Sequence, residues 1–161
     1  MADYNPPMYN FVLSTHSWLR WAVLIAGLFA VVRAIAGVAG RRRWTRLDER
    51  AGFWFGTLVD VQLLLGLLLY FALSPITRAA LQDFGGAMRS SGLRFYAVEH
   101  LFGMIVAVAL AHVGRSRTKK LTNDAARHKV AAICFLLALL AILISIPWPG
   151  LPHGRPLFRS F

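Results

Sequence analysis

Four long apolar runs divide the chain, and short polar stretches separate them. The runs extend over about residues 11–36, 53–73, 93–113 and 130–146. A helix of about 20 apolar residues crosses the hydrocarbon core of a bilayer. The pattern therefore predicts an all-α fold, in which residues 1–161 form a single four-span transmembrane domain.

The overall composition supports a membrane assignment. Of the 161 residues, 57% are hydrophobic, and the mean hydropathy is +0.55. A soluble domain of this size could not bury so much apolar surface in one core. We therefore expect an integral membrane protein whose first partner is the lipid bilayer.

The formal charge of +11 is concentrated between the apolar runs. Segments 40–50 and 114–129 together carry eleven of the eighteen Lys and Arg residues. The positive-inside rule places both segments in the cytoplasm, which predicts an up-down helix bundle with both termini outside. Because the basic residues act as topology signals and no soluble basic face is visible, we expect no nucleic-acid partner.

Two segments at the predicted outer face lie outside the four apolar runs and have their own sequence features. The connection 74–92 contains TRAALQDF, which could form a short amphipathic helix on the surface. The segment 147–158, PWPGLPHGRPLF, is too rich in proline to be helical.

Two histidines lie at matching depth in the first and third runs. His16 is about five residues from the outer end of its run and His100 about seven, which puts both roughly 7–11 Å below the boundary. Spans one and three are diagonal in an up-down bundle, so both imidazoles could face the interior. Two axial histidines in this arrangement could hold a haem iron.

Small residues share the helical face of the second of these histidines. A ring beside them would have room, but such stripes more commonly let membrane helices pack closely, and both interpretations remain open. The stripe consists of His100, Gly103, Met104, Ala107 and Ala111.

Arg20 lies one helical turn deeper than His16 and needs a partner. Asp60 on the second run and Glu99 on the third are the candidates for an internal ion pair. Alternatively, Arg20 could face a haem propionate or a quinone headgroup, since a guanidinium matches a carboxylate geometrically.

The remaining candidate residues have simpler expected roles. We expect His112 at the inner interface, His128 and His153 in solvent, and Cys134 as an inert core residue. The sequence contains no phosphate-binding glycine loop, zinc-ligand spacing or nucleophile elbow, so we expect a protein that is not an enzyme.

Several pieces of the sequence carry a resemblance to a known family. HSWLRW in the first run, VEH in the third and SIPWP after the fourth resemble a family of small four-span bacterial membrane proteins labelled "cytochrome B". This resemblance implies a four-helix bundle in a bacterial inner membrane, with the outer end facing the periplasm, that binds haem b for electron transfer. We expect other membrane protein subunits of a bioenergetic complex as partners. It also carries the family histidines onto His16 and His100.

One position departs from that family's pattern. The family commonly has a histidine two residues before the Gln of QLL, where this chain has Asp60. If the family's iron ligand comes from that position, this chain binds no haem. The alternative function is then a haem-free accessory subunit that packs against a larger respiratory or photosynthetic complex.

Overall fold

The computed structural model describes residues 7–159, and within that range the chain forms helices and no strands. The helices are α1 (Pro7–Ala39), α2 (Arg46–Leu68), α3 (Pro75–Gln82), α4 (Phe84–Arg89), α5 (Ser91–Arg94), α6 (His100–Lys120) and α7 (Asp124–Ser145). One π-helical turn, Leu69–Leu73, continues α2, and another, Phe95–Glu99, leads into α6.

Four of the helical segments are long and apolar enough to cross a membrane, which confirms the all-α, four-span prediction at that level. They extend beyond the apolar runs because polar residues at their ends, such as Arg46 and Lys120, continue the helix. The four segments are Pro7–Ala39, Arg46–Leu73, Ser91–Lys120 and Asp124–Ser145.

Side-chain caps explain where several helices begin. The Thr45 hydroxyl and the Asp48 carboxylate form a reciprocal capping box at the start of α2. The Asn123 side chain accepts a hydrogen bond from the backbone N–H of Ala126 at 2.9 Å, which fixes the start of α7.

The four long helices occupy the corners of a bundle. α1 packs against α2 and α7, and α6 packs against the same two helices, so α1 and α6 lie on a diagonal. Contacts join the end of one helix to the start of its neighbour, for example Arg33 of α1 with Asp48 of α2 at 2.8 Å. We call the end where α1 begins and α7 finishes the tail end, and the opposite end the loop end.

Close packing away from the tail end surrounds two aromatic rings. Phe55 and Phe135 are fully buried and meet edge to face, with ring centroids 5.8 Å apart. Glycines surround them: a Cβ at Gly27 would lie 2.8 Å from Phe55, and one at Gly52 or Gly114 would lie 2.9 Å from Phe135. These glycines therefore let the helices approach closely enough to enclose the rings.

The tail end is covered by short segments. α3 begins at Pro75 and ends at Gln82, so it contains TRAALQ of the predicted TRAALQDF, and a helix is confirmed there. Ala80 and Ala87 of the short helices are buried with Ala97, which lies just before α6. Segment 146–159 contains no helix, as its proline content predicted, but it folds back over the bundle.

Candidate functional site

A cavity of about 150 Å³ lies among the four long helices at the tail end. The deeper part of its wall is apolar, and polar side chains line the part nearer the tail. The apolar residues include Val23, Val59, Met104, Ala107 and Ile142, and the polar ones include His16, Ser17, Arg20, Gln62, Tyr96, His100, Arg155 and Arg159.

The structure brings His16 and His100 together across this cavity. Their ring centroids are 6.4 Å apart, with an angle of 69° between the ring planes. A bond from an imidazole nitrogen to a metal is about 2 Å long, so two imidazoles on opposite sides of one metal have centroids about 6 Å apart. The observed centroid separation of 6.4 Å is close to this value.

His100 has a fixed orientation and one available nitrogen. Its Nδ1 lies 2.7 Å from the backbone carbonyl oxygen of Ser145. Because a carbonyl only accepts hydrogen bonds, Nδ1 carries the proton and donates it, which leaves the lone pair on Nε2. Histidines that bind metals commonly donate their second nitrogen to a carbonyl in this way.

Two backbone features place that carbonyl and that ring. A Cβ at Gly103 would overlap the side chain of Ser145, so this glycine allows α7 to approach α6 closely. The π-helical turn Phe95–Glu99 comes immediately before His100. π-Helical turns occur frequently at functional sites, and this one was not predicted from the sequence.

His16 is held differently, through its backbone and its ring edge. The amide of Gln62 donates to the backbone carbonyl of His16 at 2.9 Å. A Cβ at Gly66 would lie 3.2 Å from the ring carbon Cε1, so the glycine makes room for the ring. Within residues 7–159, the buried Nδ1 of His16 has no hydrogen-bond partner. A buried nitrogen of this kind costs free energy unless a ligand compensates it.

The residues of the stripe on α6 lie in two different environments. Met104 and Ala107 line the cavity, so they leave space beside His100. Gly103 and Ala111 instead pack against neighbouring helices, and Ala111 belongs to the core.

Arg20 lies in the wall of the cavity and is buried. Its Nη2 atom donates to the backbone carbonyl of Leu157 at 2.6 Å and lies 3.4 Å from the Ser17 hydroxyl. The guanidinium therefore holds the tail in place, while its buried Nε has no partner among the described residues.

The predicted ion pair between Arg20 and Asp60 or Glu99 is wrong. Asp60 instead pairs with His112 at 2.7 Å, and Glu99 pairs with Arg94 at 2.6 Å. The tail folds into the bundle and offers Arg20 a carbonyl oxygen, which sequence depth alone did not indicate.

The tail also contributes polar groups that sequence reasoning missed. The Arg155 guanidinium donates to the Tyr96 hydroxyl at 3.0 Å, and that hydroxyl donates to the backbone carbonyl of His153 at 2.6 Å. The ring of His153, expected in solvent, stacks on Phe95 with centroids 3.6 Å apart. The only sequence signal was the presence of Arg155 and Arg159 in an otherwise apolar, proline-rich segment.

Asp60 and His112 form a pair that lies outside the cavity. Their side chains are 42% and 45% exposed, and neither lines the cavity. His112 was expected at the inner interface, and the structure pairs it with the aspartate that departs from the family pattern.

His128 was expected in solvent, and this prediction is wrong. Its side chain lies within α7 and is only 1% exposed. The ring covers Gly37 and lies against Trp44, with ring centroids 4.9 Å apart. α7 begins at Asp124, so this position is helical and turns towards α1 instead of lying in a loop.

No larger ligand cluster occurs in the described part of the chain. Among residues 7–159, no group of three or more His, Cys, Asp or Glu side chains could hold a metal ion. Cys134 is partly buried on α7, next to Gly114. The candidate metal site is therefore limited to the pair of histidines.

Comparison with known proteins identifies no relatives: no protein-family model matches the chain, and neither does any curated protein or solved structure.

Proposed function

We propose that this chain binds one b-type haem between His16 and His100 and carries electrons in a membrane. The observation that carries the proposal is the pair of imidazoles 6.4 Å apart beside a cavity, one of them with its Nε2 lone pair free. A bound haem would supply a one-electron carrier, so we propose an electron-transfer protein and not an enzyme.

The residues present fit such a group in their donor chemistry. His100 is oriented by its hydrogen bond to the Ser145 carbonyl, and His16 contributes a second imidazole from the diagonal helix. Histidine imidazole is a common ligand of haem iron, so these two residues would hold the group.

Three guanidinium groups in the same cavity would bind the propionate carboxylates of the haem. Arg20, Arg155 and Arg159 all line the cavity towards the tail. Guanidinium groups bind carboxylates with two parallel hydrogen bonds, so these residues would hold the propionates and fix their orientation. The apolar wall below them would exclude water.

The orientation in the membrane is part of the proposal. The basic segments 40–50 and 114–129 support a loop end in the cytoplasm, with the tail end and both termini facing the periplasm of a bacterial inner membrane. The haem would then be held near the outer face. Partners would be other membrane subunits of an electron-transfer complex.

A haem-free accessory subunit is the second candidate, and the size of the cavity favours it. At about 150 Å³, the cavity is smaller than the roughly 300–1,000 Å³ of ordinary cofactor pockets. Haem binding requires the tail and the lining side chains to move apart. In the haem-free alternative, Arg20 and the tail would serve only as an internal polar lock.

Absorption spectroscopy of the purified, dithionite-reduced protein tests the proposal. We expect a b-type band in the wild type, its loss in His16→Ala and His100→Ala, and partial recovery when imidazole is added to His100→Ala. A colourless wild-type preparation that is fully folded, after expression with sufficient haem, would favour the accessory-subunit alternative.

A further inference from the structure

A groove of about 280 Å³ lies at the loop end, where α2 and α6 meet. It has four cationic side chains and one carboxylate, so its net charge is strongly positive. No ion pair within residues 7–159 involves any of these charged groups. The lining residues are Arg46, Glu49, Arg50, Phe53, Arg115 and Lys119.

The position of Arg115 is fixed by its neighbours on α2. Its guanidinium carbon lies 4.7 Å from the centroid of the Phe53 ring, a cation–π contact. Its Cδ atom lies 3.9 Å from the point where a Cβ on Gly56 would be, so the aliphatic stem runs along the glycine surface. A cation held in this way loses little conformational entropy when it binds an anion.

The groove combines a charged opening with an apolar side. α2 starts at Arg46, and the positive end of its helix dipole adds to the local potential. Phe53 and Trp54 are exposed next to each other, with ring centroids 5.3 Å apart. Tryptophan near the end of a membrane-spanning helix is typical of the boundary between lipid headgroups and acyl chains.

We propose that this groove binds the phosphate headgroup of an anionic phospholipid, with the start of the acyl chains against Phe53. Arginine is suited to this ligand because its planar fork matches phosphate oxygens. Basic pockets between transmembrane helices are known sites for anionic lipid headgroups. The proposal concerns the end of the bundle away from His16 and His100, so it does not depend on haem binding.

The test measures the unfolding midpoint of the purified protein in detergent as phosphatidylglycerol, phosphatidylcholine or inorganic phosphate is added. The groove variant carries Arg46→Gln, Arg50→Gln and Arg115→Gln. The matched control carries Arg41→Gln, Arg42→Gln and Arg43→Gln, which removes the same charge from the neighbouring connection without altering the groove.

Of the three additions, we expect phosphatidylglycerol to raise the unfolding midpoint of the wild type and of the control, and the other two to leave it unchanged. The groove variant should bind it more weakly, by about fivefold for each arginine removed. The proposal is overturned if the groove variant and the control respond equally, if phosphatidylcholine acts as strongly, or if inorganic phosphate alone reproduces the effect.

A milder variant covers the case in which the triple variant does not fold. Lys119 is exposed at the edge of the groove, and Lys119→Gln alters no core contact. Native mass spectrometry should show about fivefold weaker retention of phosphatidylglycerol in this variant than in Lys120→Gln. Equal retention in the two variants would contradict the proposed site.

Discussion

Histidines lie inside both ends of the bundle, but their surroundings differ. At the tail end, His16 and His100 face a cavity and each other, with guanidinium groups nearby. At the loop end, the His128 ring fills the space above Gly37 and lies against Trp44. Burial of an imidazole is therefore not enough to indicate a ligand, since a ligand also needs open space beside a free nitrogen.

Glycines bring the histidines at both ends close to a neighbouring helix. At the loop end, Gly37 is covered directly by the His128 imidazole, so helix and ring are in contact without a gap. At the tail end, a Cβ on Gly66 would lie 3.2 Å from the edge of the His16 ring. The two histidines differ because His16 also lines the cavity, whereas His128 does not.

Filling the space at Gly37 is expected to have one of the two largest effects on stability. A Cβ there would overlap the ring of His128, so Gly37→Ala should destabilise the protein by about 1–3 kcal/mol, as overpacked cores do. Unfolding in mixed micelles measures this. Gly56→Ala is the control, because its Cβ would have an ordinary contact of 3.9 Å and alanine favours helix, so its stability should be unchanged or higher. Equal stability of the two variants would refute close packing at the loop end.

A second prediction concerns Arg20 and the tail. Arg20→Met removes the donor to the Leu157 carbonyl, so the protein should lose about 1–3 kcal/mol of stability. Amide hydrogen exchange in residues 150–159 should become faster. Asp60→Asn should leave this exchange unchanged, because Asp60 pairs with His112. Faster tail exchange in Asp60→Asn would instead indicate that Asp60 does hold Arg20.

The smallest effect is expected for the pair on the outside of the bundle. Hydrogen bonds between membrane helices contribute about 0.6 kcal/mol on average. A double-mutant cycle with Asp60→Ala and His112→Ala should give a coupling energy of about that size. Haem content should be unaffected, since neither residue lines the cavity. A coupling above about 2 kcal/mol would mean that the pair has a larger structural role than its exposed position indicates.

Helical geometry explains why part of the site could be predicted from the sequence. A fixed rise per residue converts sequence position into depth, so the proximity of His16 and His100 followed from their places in two diagonal helices. Run length and composition likewise gave four long helices. Neither inference required knowledge of individual side-chain contacts.

The two wrong predictions concern the contacts of Arg20 and His128, which the depth of a residue along its helix does not determine. Arg20 donates to the Leu157 carbonyl because the irregular segment 146–159 folds back over the bundle. Hydrophobic periodicity does not predict the path of such a segment. α7 starts at Asp124, a few residues before the apolar run. His128 is therefore part of the helix, on the face that packs against Gly37, and its ring is buried there. Both outcomes depend on packing between segments that are distant in sequence.

The haem content per chain of folded wild type, His100→Ala and His128→Leu shows directly whether His100 holds a haem. We expect about one haem per chain in the wild type and in His128→Leu, since His128 does not line the cavity. We expect almost none in His100→Ala. A folded wild type without haem, or equal loss in both variants, would contradict haem binding at His16 and His100.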